Sequence, residues 1–254
     1  MKSLLQLSMI FLLFSCIGQE KSKEFATLQF TPQLIAHAGG AIDSCVYTNS
    51  REAMQQAFVK GYRFIEFDLL FTSDSVLVAA HSWEKFNQMT GFGHMRDSVP
   101  SYADFASRKI CDRYTPLSAA EINTFFEQND SLYLVTDKIS NPDVLQEYFP
   151  ALKDRMVVEA FSFQHYCRLK SKGYFRVLYS CMAQDLNATL FSSSLKEIEW
   201  FALHTSGFDR LAFKLIKGFG NFDIALFTVD DIDVVPVEER EAVKMLYTNF
   251  IEPR

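Results

Sequence analysis

The chain has 254 residues, a formal charge of −6 and 48% apolar residues, which suits a full-sized core and argues against disorder. The acidic balance is spread along the chain without a basic run, so a nucleic-acid partner held by phosphate contacts is not expected. Length admits one large domain or two small ones, and nothing in the pattern accounts for the 25 phenylalanines.

The chain begins with "MKSLLQLSMIFLLFSC": a positive start at Lys2, an apolar run from Leu4 to Leu13, then Ser15-Cys16. The run is too short for a stable bilayer span and suits the core of a signal peptide. Leu13-Phe14-Ser15-Cys16 resembles a bacterial lipobox, in which Cys16 becomes the lipidated first residue. Phe14 is bulky for its slot, which leaves a plain secretory signal or a retained anchor as alternatives. The expected division is residues 1–16 as signal, 17–29 as a polar tether and 30–254 as the folded domain. The localisation that follows is a bacterial cell envelope, with the membrane reached through a lipid anchor. Cys45, Cys111, Cys167 and Cys181 are widely spaced, with no C-x-x-C, so a zinc site is not expected. Export permits disulfides, but spacing does not say whether any form or which cysteines pair.

Past the tether, short β-rich runs alternate with helical patterns. "LIAH" (34–37) reads as a strand, and 49–61 as an amphipathic helix capped by Asn49 or Ser50 and ended by Gly61. Residues 63–69 and 76–80 are strands around a "TSDS" turn, and 82–115 is a long polar excursion. Ser118 and Glu121 open the next helix with a capping-box pattern. Strands then follow near 132–137, 155–161, 175–181, 198–205, 222–229 and 243–250, with helices near 141–149, 162–173, 207–220 and 236–243. Strands apolar on both faces and interleaved with helices indicate a parallel sheet. About eight β/α units in one domain favour a (β/α)8 TIM barrel. A doubly wound sheet would want a Gly-rich phosphate loop, and "HAGGAIDS" matches none.

In such a barrel, chemistry gathers at the C-terminal ends of the strands. There the sequence places His37, Glu66 and Asp68, His81, and Asp137 with Lys138. Alternation points Glu66 and Asp68 to one face and Ile65 and Phe67 to the other. Two carboxylates side by side in a low dielectric repel one another, and a hard cation such as Mg2+ or Ca2+ removes that penalty. Two imidazoles supply a proton acceptor and a donor. His94, His165 and His204 lack comparable companions and read as structural, and "DDID" (230–233) reads as a loop cap.

These residues are recognisable together. "IAHAGG…YTNSREAMQQAFVKGYRFIEFDLLFTSDSVLVAAHSW" resembles the glycerophosphodiester phosphodiesterase family, within the barrel phosphodiesterases that include phosphatidylinositol-specific phospholipase C. The family pattern is His-Arg-Gly, Asn-Thr at the first helix, Glu-x-Asp, Thr-x-Asp, then His-Asp. The resemblance implies a barrel over about 30–254 with His37 and His81 as the general acid/base pair. It implies a divalent metal on Glu66 and Asp68, with Asp137 as the third ligand and Lys138 and Asn49 as substrate contacts. The substrate it implies is a small phosphodiester or lipid head group; no protein partner is inferred.

Three positions depart from that pattern. Ala38 stands where the family has the phosphate-clamping Arg, Ser82 replaces the Asp after His81, and Asp137 and Lys138 are adjacent rather than one residue apart. Adjacent residues cannot both face inward unless the strand has ended or bulged. Lys138, or N–H groups at the start of the 49–60 helix, are the expected replacements for the Arg. The rivals to a glycerophosphodiesterase are a phospholipase of C or D type, which would want an exposed apolar rim, and a degenerate binding module that has lost turnover.

Overall fold

The computed structural model describes residues 30–181, 197–207, 214, 217–218 and 222–253. The expected signal with Cys16, the expected tether and most of the expected 207–220 helix lie outside the described residues. The described residues form nine strands: β1 Gln33–Ala36, β2 Phe64–Phe71, β3 Leu77–Ala79, β4 Tyr133–Asp137, β5 Met156–Ala160, β6 Arg176–Cys181, β7 Trp200–His204, β8 Asp223–Phe227 and β9 Val243–Thr248. Eight are parallel in the order β1-β9-β8-β7-β6-β5-β4-β2, and pairing of β1 with β2 closes the ring. The fold is a (β/α)8 barrel, as the alternation of strand and helix patterns implies.

One strand is not where the pattern suggests. β3 is outside the barrel and runs antiparallel to β2, with Leu69 opposite Ala79 and Phe71 opposite Leu77. β2 overshoots the rim, and Thr72 turns the chain by accepting the Val76 N–H on Oγ1. A two-residue-period apolar run looks the same whichever neighbour it pairs with, so the hairpin is a tertiary outcome.

Six α-helices are described: α1 Arg51–Val59, α2 Trp83–Met89, α3 Tyr102–Ser107, α4 Ala119–Gln128, α5 Pro142–Tyr148 and α6 Phe163–Ser171. Ser50 caps α1, accepting from the Ala53 N–H, and Ser118 with Glu121 forms the expected capping box on α4. Near 236–243 only a 3-10 turn, Val237–Glu239, forms in place of the expected helix. The 82–115 excursion holds α2, α3 and a 3-10 turn, Gly93–Met95.

Alternation divides the apolar side chains into two layers. Ile35, Val135, Val157, Leu178, Ala202, Ala225, Met245 and Tyr247 fill the barrel interior. Ile65, Phe67, Leu134, Val158, Phe201 and Leu246 face outward among helix residues such as Ile122, Phe126 and Leu169. Burial of each large side chain contributes about 1.5–3 kcal/mol. The interior is thus plugged largely by apolar groups, and the inward carboxylates Glu66, Asp68, Asp137 and Glu159 lie toward the strand C-termini.

Candidate active site

On β2, Phe64, Glu66 and Asp68 share the face turned into the barrel, and Phe64 packs against the interior cluster. Glu66 and Asp68 are each 1% exposed. The opposite face carries Ile65 and Phe67 into the helix layer. Parallel register places Asp68 beside Asp137 of β4. One oxygen from each of Glu66, Asp68 and Asp137 lies within 4.8 Å of the others.

The β2–β3 hairpin brings His81 back to this cluster. The Ala80 N–H donates to the Asp68 carbonyl, and His81 Nδ1 sits 3.2 Å from Asp68 Oδ1. The carboxylate therefore fixes the ring and leaves Nε2 for the cleft. Ser82 takes no part in this: its hydroxyl accepts from the Lys85 N–H as the cap of α2. The absence of Asp at position 82 does not leave His81 without an orienting carboxylate.

The adjacency of Asp137 and Lys138 resolves at the end of β4. The strand stops at Asp137, and Lys138 takes a left-handed backbone with φ 68°. That turn swings its side chain back, so Nζ lies 2.9 Å from Asp137 Oδ2 and 3.1 Å from Asp68 Oδ1. A lysine in this conformation is uncommon and marks a backbone held by its surroundings.

His37 follows β1 in a tight turn through Gly39. Gly39 has φ 84°, and a Cβ there would meet the Ala53 Cβ at 3.0 Å, so glycine is required for the turn to approach α1. Ala38 between them is buried and left-handed (φ 50°), and its N–H donates to Glu66 Oε2 at 2.6 Å. The position where the family pattern has its phosphate-clamping Arg instead holds the Glu66 carboxylate through its backbone. His37 Nδ1 bonds Thr228 Oγ1 at 3.2 Å.

Asn49 is fully buried and spends its amide on Asp68, donating from Nδ2 to Oδ2 at 3.0 Å and accepting the Asp68 N–H at 3.1 Å. It is not placed to touch a substrate. The expected N–H donors at the start of α1 are also engaged: Arg51 donates to the Thr115 carbonyl and Ala53 to Ser50 Oγ.

Burial, then repulsion from Asp68, drives the Glu66 carboxyl well above the carboxylate range, and the same causes raise Asp137. Asp68 moves down despite its burial, because His81 hydrogen-bonds it and Lys138 lies beside it. Burial holds His37 down at about 4, so it is neutral at pH 7. Glu66 Oε1 is buried with no hydrogen-bond partner. An orphaned carboxylate oxygen among two further carboxylates fits a hard divalent cation, which takes oxygen ligands.

Beneath the cluster lies a group that the sequence reading passed over. Glu159 of β5 is buried, accepts a hydrogen bond from the Tyr247 hydroxyl, and is raised to about 8 by burial and by Asp137. It stands one residue before the end of β5, and the alternation that singles out Glu66 would have found it. Tyr47, which packs against both His37 and His81, carried no comparable signal because it belongs to a loop. His165 and His204 bond Ser140 and Ser206 outside the cluster. Asp231 caps the 3-10 turn after β8, as expected of the "DDID" run.

Residues 38–198, more than half of the chain, match the glycerophosphoryl diester phosphodiesterase family. No curated protein sequence matches the chain. Similar crystal structures include a glycerophosphodiester phosphodiesterase from Agrobacterium tumefaciens (13% identity, 87% of this chain and 97% of that one, TM-score 0.59). Another from Parabacteroides distasonis has 16% identity over 85% and 92%, with TM-score 0.60. A phosphodiesterase from Oleispira antarctica, in complex with its product sn-glycerol-3-phosphate, has 17% identity over 88% and 95%, also with TM-score 0.60. At these identities the neighbours share the fold, while the sequence match carries kinship: the chain belongs to the glycerophosphoryl diester phosphodiesterase family and is a phosphoric diester hydrolase.

Proposed function

We infer that the protein hydrolyses glycerophosphodiesters to glycerol phosphate and an alcohol, using a divalent cation and two histidines. The observation that carries this is the convergence of Glu66, Asp68 and Asp137 within 4.8 Å, with His81 bonded to Asp68. The product bound by the Oleispira antarctica phosphodiesterase supports the substrate class.

Glu66, Asp68 and Asp137 would hold the cation, Mg2+ or Ca2+, which neutralises charge developing on the phosphate oxygens. His37, neutral at pH 7, accepts the proton of the attacking water as its oxygen bonds phosphorus; where the glycerol hydroxyl attacks instead, a cyclic phosphate forms and a water then opens it to glycerol phosphate. His81, held on Asp68, donates a proton to the departing alcohol oxygen as the old P–O bond breaks. Asn49 acts by positioning Asp68, and Lys138 offers an ammonium beside two of the carboxylates.

A lipid phosphodiesterase is the second reading. It draws on Phe92, Met95 and Val99, which are 36%, 40% and 40% exposed on the 82–115 excursion. We propose that the chain is exported to the envelope and anchored at Cys16; the Cys45–Cys111 disulfide favours the export, since such bonds persist in oxidising compartments.

The test is to incubate the protein with glycerophosphodiesters and phosphatidylinositol, in Mg2+, Ca2+ or EDTA, beside His37→Ala. Metal-dependent release of glycerol phosphate that the variant loses is the expected result. Cleavage of lipid alone would favour the second reading, and inertness on every diester would overturn both.

A further inference from the structure

The cleft lacks the arginine that its family places after the first histidine, and most donors around it are already spent. The Ala38 N–H is given to Glu66, the Asn49 amide to Asp68, and the Lys138 ammonium to Asp68 and Asp137. The Thr228 hydroxyl is paired with His37, while the Ser82 oxygen accepts from the Lys85 N–H as the cap of α2. A phenol packed against both histidines, and an ammonium over its ring, remain without a partner among the described residues. The Tyr47 ring lies 4.8 Å from the His37 ring and 4.9 Å from the His81 ring, edge-on to the first and tilted to the second. Its hydroxyl has no hydrogen-bond partner among the described residues. Lys85 Nζ sits over the same ring at 5.9 Å from its centroid, and it pairs with no carboxylate among the described residues.

The loop that presents Tyr47 is held from several sides. Asp43, Ser44, Tyr47 and Asn49 all have left-handed φ, a region that non-glycine residues adopt uncommonly. The Cys45–Cys111 disulfide ties the loop to the excursion that carries Lys85. Asp43 accepts from the Tyr114 hydroxyl and from Arg113, and Ile42 and Cys45 exchange two backbone hydrogen bonds. Backbone strain that surrounding contacts maintain is characteristic of side chains placed for function.

We propose that Tyr47 and Lys85 form a relocated anion clamp, which binds the substrate's phosphate oxygens between the two histidines in place of the missing arginine. The phenol gives a neutral O–H donor and the ammonium a point charge, a pair that can hold a phosphodiester without the arginine fork. The clamp rests on the phosphodiesterase reading for its substrate, but its binding chemistry is testable without turnover.

The test measures binding of inorganic phosphate and sn-glycerol 3-phosphate to the metal-loaded full chain by calorimetry, together with KM and kcat. It compares wild type, Tyr47→Phe, Tyr47→Ala, Lys85→Gln and Lys85→Arg, with melting temperatures to show that each is folded. Tyr47→Phe keeps the ring against both imidazoles and removes only the donor. Tyr47→Phe and Lys85→Gln are each expected to weaken phosphate binding about tenfold, the order carried by a hydrogen bond to a charged group. KM rises with it, and Lys85→Arg retains most of the affinity. Wild-type phosphate affinity in both Tyr47→Phe and Lys85→Gln would overturn the clamp while leaving the hydrolase intact. Faster turnover by Tyr47→Ala would also overturn it, by showing that the ring obstructs the cleft. A wild type inert on all diesters whose phosphate binding still depends on Tyr47 and Lys85 would support the clamp and overturn the hydrolase reading.

Discussion

Asn49 and Asp68 are locked together twice, the Asn49 Nδ2 donating to Asp68 Oδ2 and its Oδ1 accepting the Asp68 N–H. A carboxylate held from both its backbone and its side chain presents its remaining lone pairs in one direction. Partners of this kind commonly change metal affinity 10- to 100-fold. Asn49→Leu is therefore expected to weaken divalent-cation binding by about that factor, read by calorimetric titration. Unchanged affinity would reduce Asn49 to a filler of the turn before α1.

Glu66 separates metal binding from folding. In the metal-free protein its buried carboxyl is raised well above normal, so Glu66→Gln is expected to fold at least as stably as wild type at pH 8. Metal at about 100 times its Kd should raise the melting temperature of wild type by about 5–10 °C. That rise should vanish in Glu66→Gln. A variant that keeps it would remove Glu66 from the ligand set.

The pH dependence of the metal-free protein follows from Glu159. Its folded value of about 8 lies above the ordinary 4.5, so the folded state holds the proton more tightly than the unfolded one. Its contribution is complete below pH 4.5 and is lost as pH rises through 8, on the order of a few kcal/mol. His37 acts oppositely: lowered from 6.5 to about 4, it adds stability as pH climbs between those values. Comparing Glu159→Gln with wild type in chelator cancels the histidine, and the variant should lose less stability between pH 5 and 8. Parallel melting curves across that interval would contradict the assignment.

The Cys45–Cys111 disulfide joins residues 66 apart in sequence, a loop whose closure is worth about 4 kcal/mol in the chain-entropy account. Reduction, or the double variant Cys45→Ser with Cys111→Ser, should lower the melting temperature by about 8–16 °C in a domain of this size. A reductant-insensitive melting temperature would count against the bond as a stabiliser.

Arg108 organises the excursion. Its guanidinium donates to Asn87 Oδ1 at 2.7 Å, pairs with Asp104 and lies 4.0 Å from the Phe92 ring centroid. Asn87 in turn donates to the Met95 and Ser98 carbonyls. Arg108→Leu keeps apolar bulk but orphans the Asn87 oxygen, so a loss of about 2 kcal/mol is expected in urea unfolding. A loss below about 0.5 kcal/mol would show that Asn87 finds another donor.

Much of the site was legible because strand alternation is local chemistry. Glu66 and Asp68 had to share a face opposite Ile65 and Phe67, and polar groups at successive strand ends had to meet if those strands formed a barrel. The capping box at Ser118 and Glu121 was equally local. Glu159 obeyed the same rule but lay in a strand with no second carboxylate to draw notice.

Other features depended on contacts between segments far apart in sequence. Whether residues 76–80 pair parallel or antiparallel is decided by which edge is free, and it is the hairpin that sets His81 on Asp68. The backbone of Lys138 turns left-handed where β4 ends, a single torsion that redirects its ammonium to two carboxylates. Cys45 finds Cys111 only because the excursion folds back over the first loop. By itself the sequence determined the barrel, its inward carboxylates and its two histidines, because periodicity two assigns faces wherever a strand is buried. Tertiary structure alone decided how those groups are held, because hydrogen bonds between distant segments leave no period in the chain.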